Sequence, residues 1–183
     1  MALRTLIATD ECIQEYERAT REHQDAGLVL LADGYAQGAA LMALSAEMVL
    51  KSAYFRFVGY TSSQQIGRAD LRAAETDIRA LGVLDSLEGY HNLLFWANAI
   101  VLARQRGIPS KTRGGASIWP AIGAAPMNAR EEAELLTRAA RLRTNWSIGD
   151  RYKAVQPYAA KQDLEDVFDD AVRIIEFYDS GRI

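Results

Sequence analysis

Apolar side chains recur at three- and four-residue spacing along most of the chain, and this period limits the fold more than any other feature. It is clearest over residues 33–58, where alanines alternate with larger apolar side chains on one helical face. No segment alternates apolar and polar residues as a half-buried strand does. We therefore predict an all-α, up-and-down helical bundle of five or six helices and no strands.

Glycines and capping residues help to place the helix ends. Gly27 is expected to end or kink the first helix, and Gly82 to close the third. Asn128 followed by Glu131 predicts a capping box at the start of the fifth helix. The predicted helices span residues 10–25, 33–58, 69–81, 86–106, 128–142 and 160–178.

Two segments interrupt the helical period. Residues 107–127 contain three prolines and four glycines, and a break of this length is typical of a functional or disordered loop. Residues 144–159 form a second irregular connection before the last helix. The length of 183 residues fits one domain, which we predict to span residues 1–183.

Composition excludes several classes of protein. A net charge of −3 excludes a uniformly basic nucleic-acid-binding coat but allows a local basic patch. The single cysteine, Cys12, excludes an intrachain disulfide and any zinc site with two cysteines. The longest helix-like run without a charged residue, 89–103, has 15 residues, whereas a membrane span needs about 20. With no signal-peptide core at the start, a cytoplasmic protein without membrane contact is expected.

Metal and cofactor motifs are incomplete. Glu88 and His91 have the Glu-x-x-His spacing of a di-iron helix, but the other histidine, His23, follows Thr20 at that distance. Neither a nucleophile elbow nor a phosphate-binding P-loop is found. We expect no metal and no cofactor.

Basic residues cluster in two stretches. Residues 104–113 carry four basic side chains and no acid, and residues 138–153 carry five against Asp150 alone. The last predicted helix is strongly acidic. The basic stretches either bind an anion such as phosphate or face the acidic helix and water, and charge runs are more often solvated faces.

The segment 143–152 is the most informative part of the chain. Arg143 and Arg151 have the fork geometry that binds phosphate, and Trp146 and Tyr152 have flat faces on which a base stacks. The alternative is structural: Arg143 caps its helix, Trp146 fills the core and Asp150 pairs with an arginine.

Three polar residues fall in apolar helices: Glu47, His91 and Asn98, of which Asn98 is expected to form an interhelical hydrogen bond. Glu47 precedes Lys51 by four residues, which favours an exposed ion pair worth a few tenths of a kcal/mol. His91 is expected to be a hydrogen-bonded structural residue. The alternative is that Glu47 and His91 line the same face as the 143–152 segment.

Three segments together resemble a known family. Residues 46–51 read Ala-Glu-Met-Val-Leu-Lys, residues 90–93 read Tyr-His-Asn-Leu, and residues 143–152 begin with Arg and end with Tyr. In this order, over about residues 33–180, they are similar to the HEPN family (higher eukaryotes and prokaryotes nucleotide-binding domains). The first is similar to its early-helix pattern, the second to the start of its middle helix, and the third to its C-terminal signature.

The resemblance implies roles for the third segment. Ribonuclease members of the family carry Arg, four to six residues, His, one residue and Tyr, which aligns with Arg143 and Tyr152. The histidine position holds Asp150, and an aspartate with an ordinary pKa of about 3.9 is a poor general acid at neutral pH. Adjacent Arg151 favours the ionised carboxylate still further.

The resemblance therefore implies a homodimeric, non-catalytic or weakly active domain that binds RNA, a nucleotide or a protein in a bacterial stress or defence context. A separate nucleotidyltransferase-type partner is also implied. One alternative is a metal-independent endoribonuclease of toxin type, which uses Asp150 or His91; another is a purely structural protein-interaction domain. The catalytic candidates are Arg143, Asp150 and Tyr152, and the predicted binding residues are Arg143, Asn145, Arg151, Tyr152, Glu47 and His91.

Overall fold

The computed structural model of the chain describes residues 11–33, 37–83, 91–106, 127–145 and 161–183. Six helices lie within these ranges, so the prediction of an all-α bundle is confirmed. None of the helices in the described ranges combines the length and apolar character needed to cross a membrane. The helices are α1 (Ile13–Ala32), α2 (Gln37–Phe57), α3 (Arg68–Ala80), α4 (Leu93–Arg106), α5 (Ala129–Asn145) and α6 (Lys161–Asp179).

Helix α2 is the centre of the bundle. It packs against α1, α4 and α6, and α5 packs against α4 and α6, so that α2, α4, α5 and α6 form a ring of four. Sixteen of the 21 residues of α2 are buried. Its alanines explain this, because small side chains let helices approach from several directions; Ala39, Ala43 and Ala46 are fully buried.

The crossing of α1 and α2 depends on two glycines. Helix α1 continues through Gly27 to Ala32, so of the two predicted outcomes, an end or a kink at Gly27, the end is wrong. A Cβ atom on Gly27 would lie 3.0 Å from the carbonyl oxygen of Gly38, and one on Gly38 would lie 2.6 Å from that of Gly27. Glycine is therefore required here by the close approach of two backbones.

Other helix ends agree with the sequence. The amide of Asn128 donates to Glu131 at 2.8 Å, and the amide of Glu131 donates back to the Asn128 side chain at 3.1 Å, which confirms the capping box. Gly82 follows α3 with a φ of 96°, a left-handed conformation that favours glycine. The start of α4 is an exception: the helix begins at Leu93 rather than near residue 86 as predicted, and the Asn92 side chain caps it by accepting from the Phe95 amide at 3.1 Å.

A short strand pair corrects the prediction of no strands. β1 (Glu11–Cys12) pairs antiparallel with β2 (Gln65–Ile66) and joins the start of α1 to the connection before α3. Cys12 consequently lies in β1 rather than in the first helix. Two residues per strand are too few to produce an alternating pattern.

Part of the second basic stretch faces the acidic last helix. This agrees with the interpretation in which the basic residues pair with that helix rather than bind an anion. Asp170 of α6 is 1% exposed and accepts hydrogen bonds from Arg138 at 2.9 Å and from Arg141 Nε at 2.8 Å. These contacts join α5 to α6. Both arginines are thereby committed to a structural ion pair.

Candidate functional site

Helices α2 and α4 bring together two predicted site residues that are 44 positions apart in the chain. His91 Nδ1 lies 2.9 Å from Glu47 Oε1. His91 immediately precedes the cap residue of α4, and α4 packs against α2, so the packing of these helices sets the contact. The contact agrees with the expectation of a hydrogen-bonded histidine, whereas a face shared with residues 143–152 stays a prediction.

Lys51 completes the cluster from the next turn of α2. Its ammonium lies 2.5 Å from the same Glu47 Oε1, and the side chains of Lys51 and Glu47 are 8% and 1% exposed. The prediction of an exposed Glu–Lys pair is therefore wrong. The pair is buried because the neighbouring helices cover this part of α2. The i, i+4 spacing within one helix contains no information about such tertiary contacts.

The second oxygen of Glu47 is different from the first. Oε2 is buried and has no hydrogen-bond partner among the described residues, whereas Oε1 receives both donors. A buried oxygen left unpaired costs about 1–3 kcal/mol. Among the described residues, the carboxylate is therefore stabilised through Oε1.

The protonation state of Glu47 follows from its neighbours. Burial acts to raise the pKa of the carboxyl, but the charge of Lys51 and the hydrogen bond from His91 outweigh it and hold the pKa below its ordinary value. The carboxylate is therefore ionised at neutral pH and only accepts hydrogen bonds. Nδ1 of His91 therefore donates to this oxygen, and in a neutral imidazole that donates from Nδ1 the lone pair is on Nε2.

Aromatic side chains separate the cluster from the rest of the core. Trp96 of α4 is fully buried, with ring centroids 5.5 Å from Tyr54 and 5.4 Å from Phe95. The Lys51 ammonium lies 5.9 Å from the Trp96 ring centroid, within range of a cation–π contact. Low polarity on this side strengthens the attraction between Lys51 and Glu47.

Tyr16 of α1 adds a phenol to the surroundings of Glu47. Burial, a hydrogen bond to Glu11 and the negative charge of Glu47 all raise the pKa of the Tyr16 hydroxyl far above its ordinary value. The phenol is therefore protonated at any physiological pH and acts as a donor. Nothing in the sequence singled out Tyr16, because its spacing is simply that of a core position on α1.

The other predicted site residues are only partly described. Arg143 lies in the last turn of α5, where it is half-buried and makes contacts of its own. Asn145 ends α5, and its side chain lies outside the described residues, as do Asp150, Arg151 and Tyr152. The loop predicted at 107–127 lies outside them too, except for the buried Met127.

Within the described ranges, no group of three His, Cys, Asp or Glu side chains is placed to hold a metal ion. What the cluster offers chemically is a hydrogen-bonding imidazole held by an ionised carboxylate. Comparisons of the chain with protein-family models, curated proteins and solved structures give no match.

Proposed function

We propose that the chain is a helical domain, HEPN-like in organisation, that binds RNA or a nucleotide with little or no catalysis. The observation that carries the proposal is the 2.9 Å contact between His91 and the buried Glu47. It joins two of the three segments on which the HEPN resemblance rests. The third segment, which begins at Arg143, supplies the phosphate-binding side chains in this proposal.

The energetics of the cluster favour a role in binding. Burying an ion pair costs desolvation that apolar side chains of similar size would avoid, often by about 1–4 kcal/mol. The ion pair of Glu47 and Lys51 lies in α2, the most buried of the described helices. Glu47 also holds the imidazole of His91, which is 32% exposed. A fixed polar group that reaches the surface is what ligand recognition requires.

The contacts of α5 reduce the number of arginines that we propose as phosphate ligands. Arg138 and Arg141 are bound to Asp170, so they are not counted among the phosphate ligands. The proposed phosphate contacts are Arg143 and Arg151, the two arginines of the segment on which the resemblance rests. Stacking on Tyr152 would add affinity without selecting a sequence.

The test is the anisotropy of a fluorescent single-stranded RNA titrated with the protein in EDTA. We expect wild-type protein to bind, with affinity that falls as salt is raised. Arg143→Ala should weaken binding several-fold because a phosphate contact is lost. Arg72→Ala, at an exposed arginine of α3, is the matched control and should bind like wild type. Absence of RNA binding, or equal loss in both variants, would contradict the proposal.

The two alternatives give different outcomes in the same samples. Cleavage of the RNA that disappears in Arg143→Ala would identify an endoribonuclease; the observation in its favour is the carboxylate-bound imidazole of His91. Neither binding nor cleavage would favour a protein-interaction domain. Three further predictions stay open to test: a homodimer, a cytoplasmic location and a separate nucleotidyltransferase-type partner. Sedimentation velocity measures whether the protein forms the homodimer.

A further inference from the structure

We infer that His91 accepts a hydrogen bond from the ribose 2′-hydroxyl of bound RNA, so that the site selects RNA over DNA. The inference rests on the proposed RNA-binding function and names the group that the site recognises. It is carried by the geometry around Glu47, which determines what each nitrogen of the imidazole is able to do.

The orientation of the ring is fixed at one edge. Glu47 Oε1 holds Nδ1 at 2.9 Å, and Lys51 holds the same oxygen from the other side at 2.5 Å. Turning the imidazole over would replace this hydrogen bond with a carbon and leave the carboxylate with one donor fewer. Nε2 is consequently held at the opposite edge of a ring that is 32% exposed.

The role of Nε2 follows from that of Nδ1. An ionised carboxylate requires a donor, so Nδ1 carries a proton, and in the neutral form of an imidazole protonated there Nε2 has the lone pair. The partner for such a nitrogen must be a donor. Phosphate oxygens of a nucleic acid are acceptors only, whereas the 2′-hydroxyl is a donor that every RNA nucleotide has and DNA lacks.

Charge at the site is compatible with an RNA backbone. The Lys51 ammonium offsets the negative charge of Glu47, so the cluster as a whole does not repel phosphates. Base amino groups are also donors, but they differ among the four bases. A hydroxyl contact predicts discrimination by sugar, whereas an amino contact predicts discrimination by base.

The experiment compares three oligonucleotides of one uracil-containing sequence: RNA, DNA and 2′-fluoro RNA. The fluoro sugar keeps the RNA-like pucker but has no hydroxyl to donate. At pH 8, where an imidazole is ordinarily neutral, wild-type protein should bind RNA about three- to tenfold more tightly than either analogue. Preference for both RNA and fluoro RNA over DNA would show recognition of backbone shape and overturn the inference.

Variants assign the preference to His91. His91→Ala should bind all three oligonucleotides equally and lose affinity only for RNA, and His23→Ala, at the other histidine of the chain, should keep the preference. Glu47 is a positioning residue here. Glu47→Gln should reduce the preference for RNA, because the glutamine amide can donate to Nδ1 and the ring proton then moves to Nε2. Circular dichroism confirms that each variant is folded.

The same variants separate recognition from a structural role. A preference for RNA that His91→Ala retains would overturn the inference and leave RNA binding intact. Failure to bind any of the oligonucleotides would instead contradict the proposed function.

Discussion

Lys51→Met is the substitution that tests the buried ion pair most directly. Methionine preserves much of the apolar stem of lysine beside Trp96 but removes the charge. Among the described residues, Glu47, which is 1% exposed, then keeps His91 as its one donor. Breaking a buried pair in this way costs about 3–5 kcal/mol, because an uncompensated charge remains inside the protein. We expect the free energy of unfolding at pH 8 to fall by that amount.

The pH dependence of the loss has a definite sign. In wild-type protein the pKa of Glu47 is depressed, so its stabilising contribution is present above the unfolded pKa and is lost as pH falls through the folded value. Without Lys51, burial dominates and raises the pKa of this carboxyl. Its contribution then favours the folded state at low pH and is lost as pH rises. The difference between the two proteins should therefore be large at pH 8 and small near pH 4.5.

Urea titrations followed by circular dichroism at 222 nm measure both values. Arg79→Met is the matched control, since Arg79 pairs with Glu75 at the same spacing but on the exposed face of α3, at 3.1 Å. It should cost less than about 0.5 kcal/mol at either pH. A Lys51→Met protein as stable as this control, with the pH dependence of wild type, would refute the account of Glu47 as a buried anion.

Two further substitutions test the packing of the bundle. Gly38→Ala should destabilise by about 1–3 kcal/mol despite the higher helix propensity of alanine, because its Cβ would lie 2.6 Å from a backbone oxygen. Gly27→Ala should cost less, because its Cβ would lie 3.0 Å from the Gly38 carbonyl oxygen and 3.1 Å from the flexible Met42 side chain. Equal thermal midpoints for the two variants would contradict this. Asp170→Ala should lower the free energy of unfolding by about 1–2 kcal/mol, because Arg138 and Arg141 lose a charged acceptor while Arg138 keeps its contact with Glu134. Urea titration measures the loss, and an unchanged free energy would show that the α5–α6 ion pair contributes nothing to stability.

Helix positions were predictable because their signals are local. The capping box at Asn128 and the turn at Gly82 each involve residues within one turn of the chain, and both are found in the structure. Gly27 shows where this fails. A glycine near the end of a helical pattern resembles a C-cap, and only the backbone of Gly38, eleven residues later, shows that its purpose is close packing.

The candidate site was harder to predict for a related reason. Glu47 and Glu75 both precede a cation by four residues, yet one pair is buried and the other exposed. The difference lies in which helices cover α2 and α3, and periodicity within one helix does not contain that information. The same is true of His91, whose contact with Glu47 depends on how α4 packs against α2.

The central position of α2 also determines how the protein opens. Amide hydrogens in a helix covered by three neighbours exchange with solvent only when the whole bundle unfolds, whereas α3, which buries just Ala74 and Ile78, exchanges by local opening. The slowest-exchanging amides of α2 therefore report the global free energy of unfolding. Deuterium uptake in this one helix would give the same stability as a urea titration, under conditions in which the protein stays folded.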